Sequence, residues 1–202
     1  MRLRYAPNSP YVRKVLIVAI EAGLEDRIEK VPTNVTPLEE NSEVAAENPL
    51  SKIPSLALDE GGPLFDSRVI CEYLDSLGDH PRVFPAPGPA RWAALRQQAL
   101  ADGILDAAVA CRYETMFRPA DKRWPPWIEG QMRKVRQGLD ALEDGCDGLR
   151  GAITIGQVAV ACALGWLEIR LAEDWRAQRP ALSGWFDAFS ERPSMKATVP
   201  PG

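Results

Sequence analysis

Apolar and polar residues alternate with two different periods, and the switches between them divide the chain into elements. Residues 2–6 read as a short first strand, and Val12, Val15, Leu16, Ala19 and Ile20 then recur at helical spacing up to Gly23, which predicts a helix over 10–22. Ser9-Pro10 supplies an N-cap and first-turn pair for that helix. A weakly alternating segment, 27–31, predicts a strand that stops at Pro32, and 37–46 predicts a short helix or irregular segment. The stretch from Asn48 to Pro54 is too rich in proline for a regular element and reads as a structured loop. Residues 55–59 alternate as a strand, Gly61-Gly62 signals a hairpin and 63–66 supplies the return strand. Ser67 is predicted to cap a third helix with Ile70, Tyr73, Leu74 and Leu77 on one face and Gly78 as its stop.

Residues 79–89 carry Pro81, Pro85, Pro87, Gly88 and Pro89 and read as a linker at a domain boundary. Everything beyond has helical period. A long helix is predicted over 90–117 and ends at Arg118-Pro119. A second follows Pro125-Pro126 with the seam Ile128, Met132, Val135, Leu139 and Leu142. Thr154 and Gln157 form a capping box, Ile153 and Val158 a hydrophobic staple, and the uncharged run from Val158 to Leu167 predicts a helix buried on every side. Leu182, Trp185, Phe186 and Phe189 share the stripe of a last helix that Pro193 ends, leaving 194–202 irregular. The expectation is an α/β thioredoxin-like domain over 1–78, a linker over 79–89 and an all-α domain over 90–202.

Composition narrows the chemistry. The 202 residues carry a net charge of −4 with no basic run, so the chain lacks the electrostatic footprint of a nucleic-acid binder. No signal peptide and no membrane-spanning apolar run is read in it, which points to the cytoplasm. Its four cysteines, Cys71, Cys111, Cys146 and Cys162, are far apart and read as small core residues, and its one histidine, His80, reads as an exposed loop residue. A metal site and Ser/His or Cys/His catalysis have little material to work with. Ser9 is different, because a helix N-terminus favours an anion, and a thiolate or carboxylate held there is stabilised without a dedicated cation.

Three motifs in this order resemble the cytosolic glutathione transferase family. Ser9-Pro10-Tyr11 follows the first strand where that family and the related glutaredoxins place a catalytic Ser or Cys followed by Pro and an aromatic residue. Asn48-Pro49 through Lys52-Ile53-Pro54 looks like the family's N-P-x-x-K-[IV]-P loop, whose proline is cis, and Asp66-Ser67 matches the acidic residue and serine that open the third helix. The capping box of the second domain is similar too, with Gln157 in place of the usual Asp. The likeness runs over nearly the whole chain.

The resemblance implies glutathione as co-substrate, no tightly bound cofactor and no metal. It implies Ser9 as the hydrogen-bond donor that keeps the glutathione sulfur ionised, with Asn8 and Tyr11 as possible accessory donors. Lys52 would meet the glycyl carboxylate, the backbone of Ile53 before Pro54 the cysteinyl unit, and Asp66 and Ser67 the γ-glutamyl amine and carboxylate. The electrophile is expected between the domains, among Tyr11, Arg112, Tyr113, Met116, Phe117, Trp124 and Trp127. A cytoplasmic homodimeric detoxification enzyme that joins glutathione to a small hydrophobic electrophile is the leading expectation. A glutathione-dependent isomerase or dehalogenase, and a non-catalytic binding module, are the alternatives.

Overall fold

The computed structural model describes residues 1–78, 82–171 and 174–201, and its contacts divide it into two units, Met1–Ala86 with Pro193–Gly202, and Pro87–Arg192. His80 lies outside the described residues.

In the first unit the elements follow as β1 (Arg2–Tyr5), α1 (Pro10–Glu21), β2 (Glu29–Pro32), α2 (Ser42–Glu47), β3 (Ser55–Ala57), β4 (Leu64–Phe65) and α3 (Ser67–Leu77). The sheet order is β2-β1-β3-β4. β1 and β2 are parallel, so the chain must cross over between them, and α1 makes the crossing. β3 runs antiparallel to β1 in a register that sets Leu3 against Leu56, both fully buried. β4 closes the sheet as an antiparallel hairpin with β3. This is the thioredoxin-like arrangement that the alternation predicts.

Several local expectations need correction. The second strand begins two residues late because a 3₁₀ turn occupies Glu25–Arg27, and it continues through Pro32, which an edge strand tolerates because its missing N–H faces outward. The short helix α2 starts only at Ser42, where Asn41 Oδ1 accepts the Val44 N–H at 3.2 Å. Asp66, not Ser67, is the N-cap of α3, and Ser67 is the first helical residue. Gly78 stops α3 without left-handed geometry (φ −82°); a Cβ there would lie 3.0 Å from the Ala22 carbonyl oxygen, so close approach to the end of α1 demands the glycine.

The second unit holds α4 (Pro89–Phe117), α5 (Pro125–Asp144), α6 (Ile155–Arg170) and α7 (Pro180–Ser190). α4 packs on both α5 and α6. Every residue from Ile155 to Leu167 is buried, as the absence of charge predicts. α6 begins against the backbone of α4, since a Cβ on Gly156 would lie 2.8 Å from the Ala94 carbonyl oxygen. On α5, Val135, Leu139 and Leu142 are buried and Ile128 and Met132 half-buried. On α7, Leu182, Phe186 and Phe189 are buried, while Trp185 is half-buried with Nε1 donating to the Leu149 carbonyl at 2.8 Å.

The segment after Arg192 is not wholly irregular, because Pro193 opens a one-turn helix, α8 (Pro193–Lys196), before residues 197–201 continue without a regular element. Its contacts group it with the first unit. Arg13 of α1 donates from Nη2 to the Met195 carbonyl at 3.2 Å, and Ser194 Oγ donates to Glu21 Oε1 at 2.5 Å. Ser194 and Met195 are almost fully buried there.

Candidate functional site

Strand direction brings the predicted first-unit residues to one end of the sheet. Arg4 near the end of β1 is opposite Ser55 at the start of β3, and Ser55 is opposite Phe65 at the end of β4. The chain therefore leaves β1 toward Ser9, enters β3 from Lys52-Ile53-Pro54 and leaves β4 into Asp66-Ser67, all at the same sheet end. Sequence spacing alone does not show this convergence; the antiparallel pairing of β3 with β1 and β4 produces it.

Ser9 is the half-buried N-cap of α1, with extended backbone (φ −83°, ψ 119°). Its Oγ accepts the Val12 N–H at 3.3 Å, and its carbonyl accepts the Arg13 N–H at 3.0 Å. A hydroxyl that accepts in this way keeps its own proton to donate. Pro10 follows at N1, where a missing N–H costs nothing. The positive end of the helix dipole and an O–H donor thus coincide. Asn8, exposed, and Tyr11, half-buried, flank it.

The loop before β3 is wound on Asn48, which is 2% exposed. Its Nδ2 donates to the Lys52 carbonyl at 2.8 Å, its Oδ1 accepts the Leu50 N–H at 3.0 Å, and its carbonyl accepts the Ser51 N–H at 2.8 Å. Ser51 takes a positive φ of 50°, and the Ile53–Pro54 bond is cis. Pro54 is buried, Ile53 half-buried and Lys52 exposed. Asn48 stands in the motif, yet no role was read for it from the sequence; the available signal was an Asn before Pro, a residue type that folds its amide onto nearby backbone.

Asp66 has φ 61° and ψ 132°, outside the regions that a residue with a Cβ favours, a conformation that costs about 1–3 kcal/mol. Its Oδ1 accepts the Arg68 N–H at 2.9 Å and the Ser67 hydroxyl at 3.4 Å. Asp66 is exposed and Ser67 is 3% exposed, so a carboxylate faces outward while the serine hydroxyl is turned inward against it.

The residues expected around the electrophile lie in different places. Arg112, Tyr113, Met116 and Phe117 occupy the last turns of α4, Trp124 and Trp127 the start of α5, and Tyr11 the first unit. The Tyr113 and Phe117 rings are tilted at a centroid distance of 5.4 Å. Met116 and Trp124 are exposed by 57% and 64%. Glu114, which was not singled out from the sequence, ties this end together. Its Oε2 accepts Arg118 Nε at 2.7 Å and its Oε1 the Trp124 N–H at 3.4 Å. The bond to Arg118 holds the Glu114 carboxyl below its ordinary range.

The four cysteines are buried and none is in a disulfide, and burial pushes the thiols of Cys111 and Cys146 up, which makes both poor nucleophiles. Among the described residues no cluster of three or more His, Cys, Asp or Glu side chains converges as metal ligands. None of their helices is long and apolar enough to cross a membrane.

Comparison with known proteins gives consistent results. Residues 8–77 match the model of the glutathione S-transferase N-terminal domain and residues 125–188 that of the C-terminal domain. The GST-like protein YibF of Escherichia coli, itself uncharacterised, is 33% identical over 100% of this chain and 99% of its own length. A glutathione transferase family member from Pseudomonas fluorescens Pf-5, solved with bound glutathione, superposes with a TM-score of 0.97 at 42% identity over 100% of this chain and 99% of that one. A second structure of a family member from that organism, with bound S-(propanoic acid)-glutathione, gives a TM-score of 0.93 at 42% identity over the full length of both chains.

Proposed function

The chain belongs to the glutathione S-transferase family, and we propose that it is a catalytically active member in which Ser9 activates the glutathione thiol for attack on a small electrophile. The observation that carries this is the convergence of Ser9, the Lys52-Ile53-Pro54 loop and Asp66-Ser67 at one sheet end, with the Ser9 hydroxyl proton left over from its cap.

Each group of the tripeptide has a complementary feature in this reading. The outward carboxylate of Asp66 takes the γ-glutamyl ammonium, using the oxygen that its cap does not occupy. The N–H of Ser67 at the start of α3 meets the γ-glutamyl carboxylate, the role left to this residue once its hydroxyl turns to Asp66. The Ile53 backbone pairs with the cysteinyl unit as a strand edge does, and exposed Lys52 meets the glycyl carboxylate.

The sulfur then sits against Ser9. A free thiol has a pKa near ~8.5, so only a few per cent is thiolate at neutral pH, and lowering that pKa by about two units takes roughly 2.7 kcal/mol of preferential anion stabilisation. One O–H donor and one helix N-terminus together supply energies of that order. The Val12 N–H bond fixes the Ser9 rotamer, so the donor is in place before the sulfur arrives. Ser9 forms no covalent intermediate; the thiolate itself forms the new carbon–sulfur bond, and the leaving group departs with the electron pair.

The ligand of the Pseudomonas neighbour is a thioether between glutathione and propanoic acid, which favours S-alkylation over isomerisation for this chain. A cytoplasmic detoxifying homodimer completes the reading and rests on family membership alone. The test is retention on immobilised glutathione followed by turnover of a small panel of alkylating electrophiles by the wild type and Ser9→Ala. Retention with turnover that collapses in Ser9→Ala is expected. Neither retention nor turnover would leave a non-catalytic module, and turnover indifferent to Ser9→Ala would transfer the activating role to Asn8 or Tyr11.

A further inference from the structure

Two of the three segments assigned to glutathione open long helices of the first unit, Ser9 at α1 and Asp66-Ser67 at α3. The third, the loop that presents Lys52, Ile53 and Pro54, follows α2 instead. That helix has six residues, of which Val44 alone is buried. A helix so short has little stability of its own, so whatever fixes α2 also fixes the entry to the loop.

Arg4 of β1 does so. Its Nε and Nη2 both donate to Glu47 Oε1, at 3.1 and 3.0 Å, and its Nη1 donates to Glu43 Oε2 at 2.8 Å. The Arg4 and Glu47 side chains are only 15% and 16% exposed, so this pair is largely withdrawn from water, unlike that with Glu43, which is 74% exposed. The other Glu47 oxygen, Oε2, is buried and has no partner among the described residues, which leaves Arg4 to compensate the charge. Asn48, the next residue, donates its N–H to the Val44 carbonyl at 2.7 Å and its Nδ2 to the Lys52 carbonyl at 2.8 Å. At the far end of the loop Ser55, the first residue after Pro54, stands opposite Arg4 in the register of β3 with β1. One arginine thus meets both ends of the segment 48–54, the first through its guanidinium and the second through the sheet.

From this we infer that Arg4, which no motif contains, is the positioning residue of the glutathione loop: it holds the end of α2 and the start of β3 together, and so sets Lys52 and the Ile53 backbone for the glycyl and cysteinyl units. The inference rests on the proposed transferase reading and deepens it. Arg4 touches no part of the tripeptide in that reading and acts through Glu47 and Asn48. Its effect is preorganisation, since a loop in its binding geometry in only a tenth of the molecules binds with about tenfold weaker apparent affinity. A lysine keeps the charge but lacks the planar fork that reaches Glu43 and Glu47 together. Ser9 is capped within its own helix, so the sulfur end of the ligand does not depend on this arginine.

The experiment measures three quantities on the full chain for wild type, Arg4→Met, Arg4→Lys and Glu47→Gln. These are the calorimetric Kd for glutathione, the pH inflection of thiolate absorbance at saturating glutathione, and amide hydrogen exchange peptide by peptide. Arg4→Met should raise Kd by about 10-fold, Glu47→Gln by at least about threefold, and Arg4→Lys should recover part of the loss. Exchange should quicken in 48–54, where the Leu50 and Ser51 N–H groups are bonded to Asn48, and stay unchanged in α1. The thiolate inflection should not move. Should Arg4→Met fail to fold, Glu47→Gln, which preserves the shape of the side chain, decides the matter. A Kd within about twofold of wild type in the folded variants overturns the inference and leaves the transferase reading standing. So does a rise in Kd accompanied by a shifted inflection or by faster exchange in α1, since Arg4 would then serve the whole unit. A wild type that binds no glutathione removes the transferase reading, and the inference with it.

Discussion

The starts of α6 and α7 in the second unit contrast with the start of α1 in the first, although each exposes the same kind of donor end. In the second unit the chain fills the starts of α6 and α7 itself. The N-terminus of α7 has no capping side chain of its own, and Glu143 of α5 reaches it with both oxygens, accepting the Ala181 N–H at 3.0 Å and the Leu182 N–H at 2.7 Å. At α6 the Gln157 side chain turns back to accept the Thr154 N–H at 2.6 Å and donates to the Leu149 carbonyl at 2.7 Å. In the first unit the residue at the capping-box position of α1 is Val12, whose side chain can make no such return, and its N–H is accepted by Ser9 Oγ. The chain thus shows in α7 what a helix start does with a carboxylate, and at α1 the cap acceptor is a serine hydroxyl instead. The proposed function assigns that place to the sulfur of glutathione.

Ser9→Ala should break the contrast most. The rate of thiolate attack rises with pH and levels off above the thiol pKa, and removing the hydroxyl should move that inflection up by about one unit or more, with turnover at neutral pH falling by about 10- to 100-fold. Stability should fall by only about 1 kcal/mol, the usual value of an N-cap. An inflection that stays in place, read from pH–rate profiles and from ultraviolet thiolate absorbance of the bound tripeptide, would mean that the helix end works without the hydroxyl. Glu143→Ala is the mirror experiment. It should lower stability in urea by about 2 kcal/mol, since two N–H groups lose a charged acceptor, and leave the pH–rate profile unmoved.

Asp66→Gly should separate binding from stability by sign. A glycine carries φ 61° without penalty, so the fold should gain about 1 kcal/mol after the lost cap is subtracted. The glutathione KM should meanwhile rise by about tenfold, as expected when an ammonium loses its carboxylate. A variant less stable than wild type would show that Asp66 serves as a cap first and a ligand second.

These contrasts also mark where the sequence was legible. The existence and starts of helices with a long apolar stripe or none of the charges that face water, such as α5 and α6, could be read from the sequence, because their burial is periodic in the chain itself. Motifs whose meaning is local were legible too: Ser9-Pro10 as a cap, and the loop that ends in Pro54. What could not be read depends on partners distant in sequence. Whether Ser67 or Asp66 caps α3 turns on a backbone angle, and the glycine at position 78 answers to Ala22 rather than to its own helix. The tail after Pro193 looked irregular because one turn of helix has no period to display, and its order comes from Arg13 and Glu21, more than 170 residues earlier. Glu143 reads from sequence as one more charge on α5.

The smallest effect tests a third filled helix start. α5 also lacks a capping side chain at Trp124, and the N–H of that residue points at Glu114, whose other oxygen is bonded to Arg118. Because the bond to Arg118 holds the folded Glu114 carboxyl below the ordinary glutamate range, the unfolded chain binds more protons just below about pH 4.5, and stability rises with pH there. The contribution of the ionised carboxylate is therefore complete above about pH 4.5 and disappears as the pH falls through the lower, folded value. Arg118 is 53% exposed on its side chain, so solvent and salt screen the pair, and the effect should shrink in high salt. Urea midpoints of wild type and Glu114→Gln should differ by a constant amount near neutral pH and converge on acidification. Parallel curves down to the acid limb would show that an anion at this helix start contributes nothing, and would weaken by analogy the case that the end of α1 stabilises a thiolate.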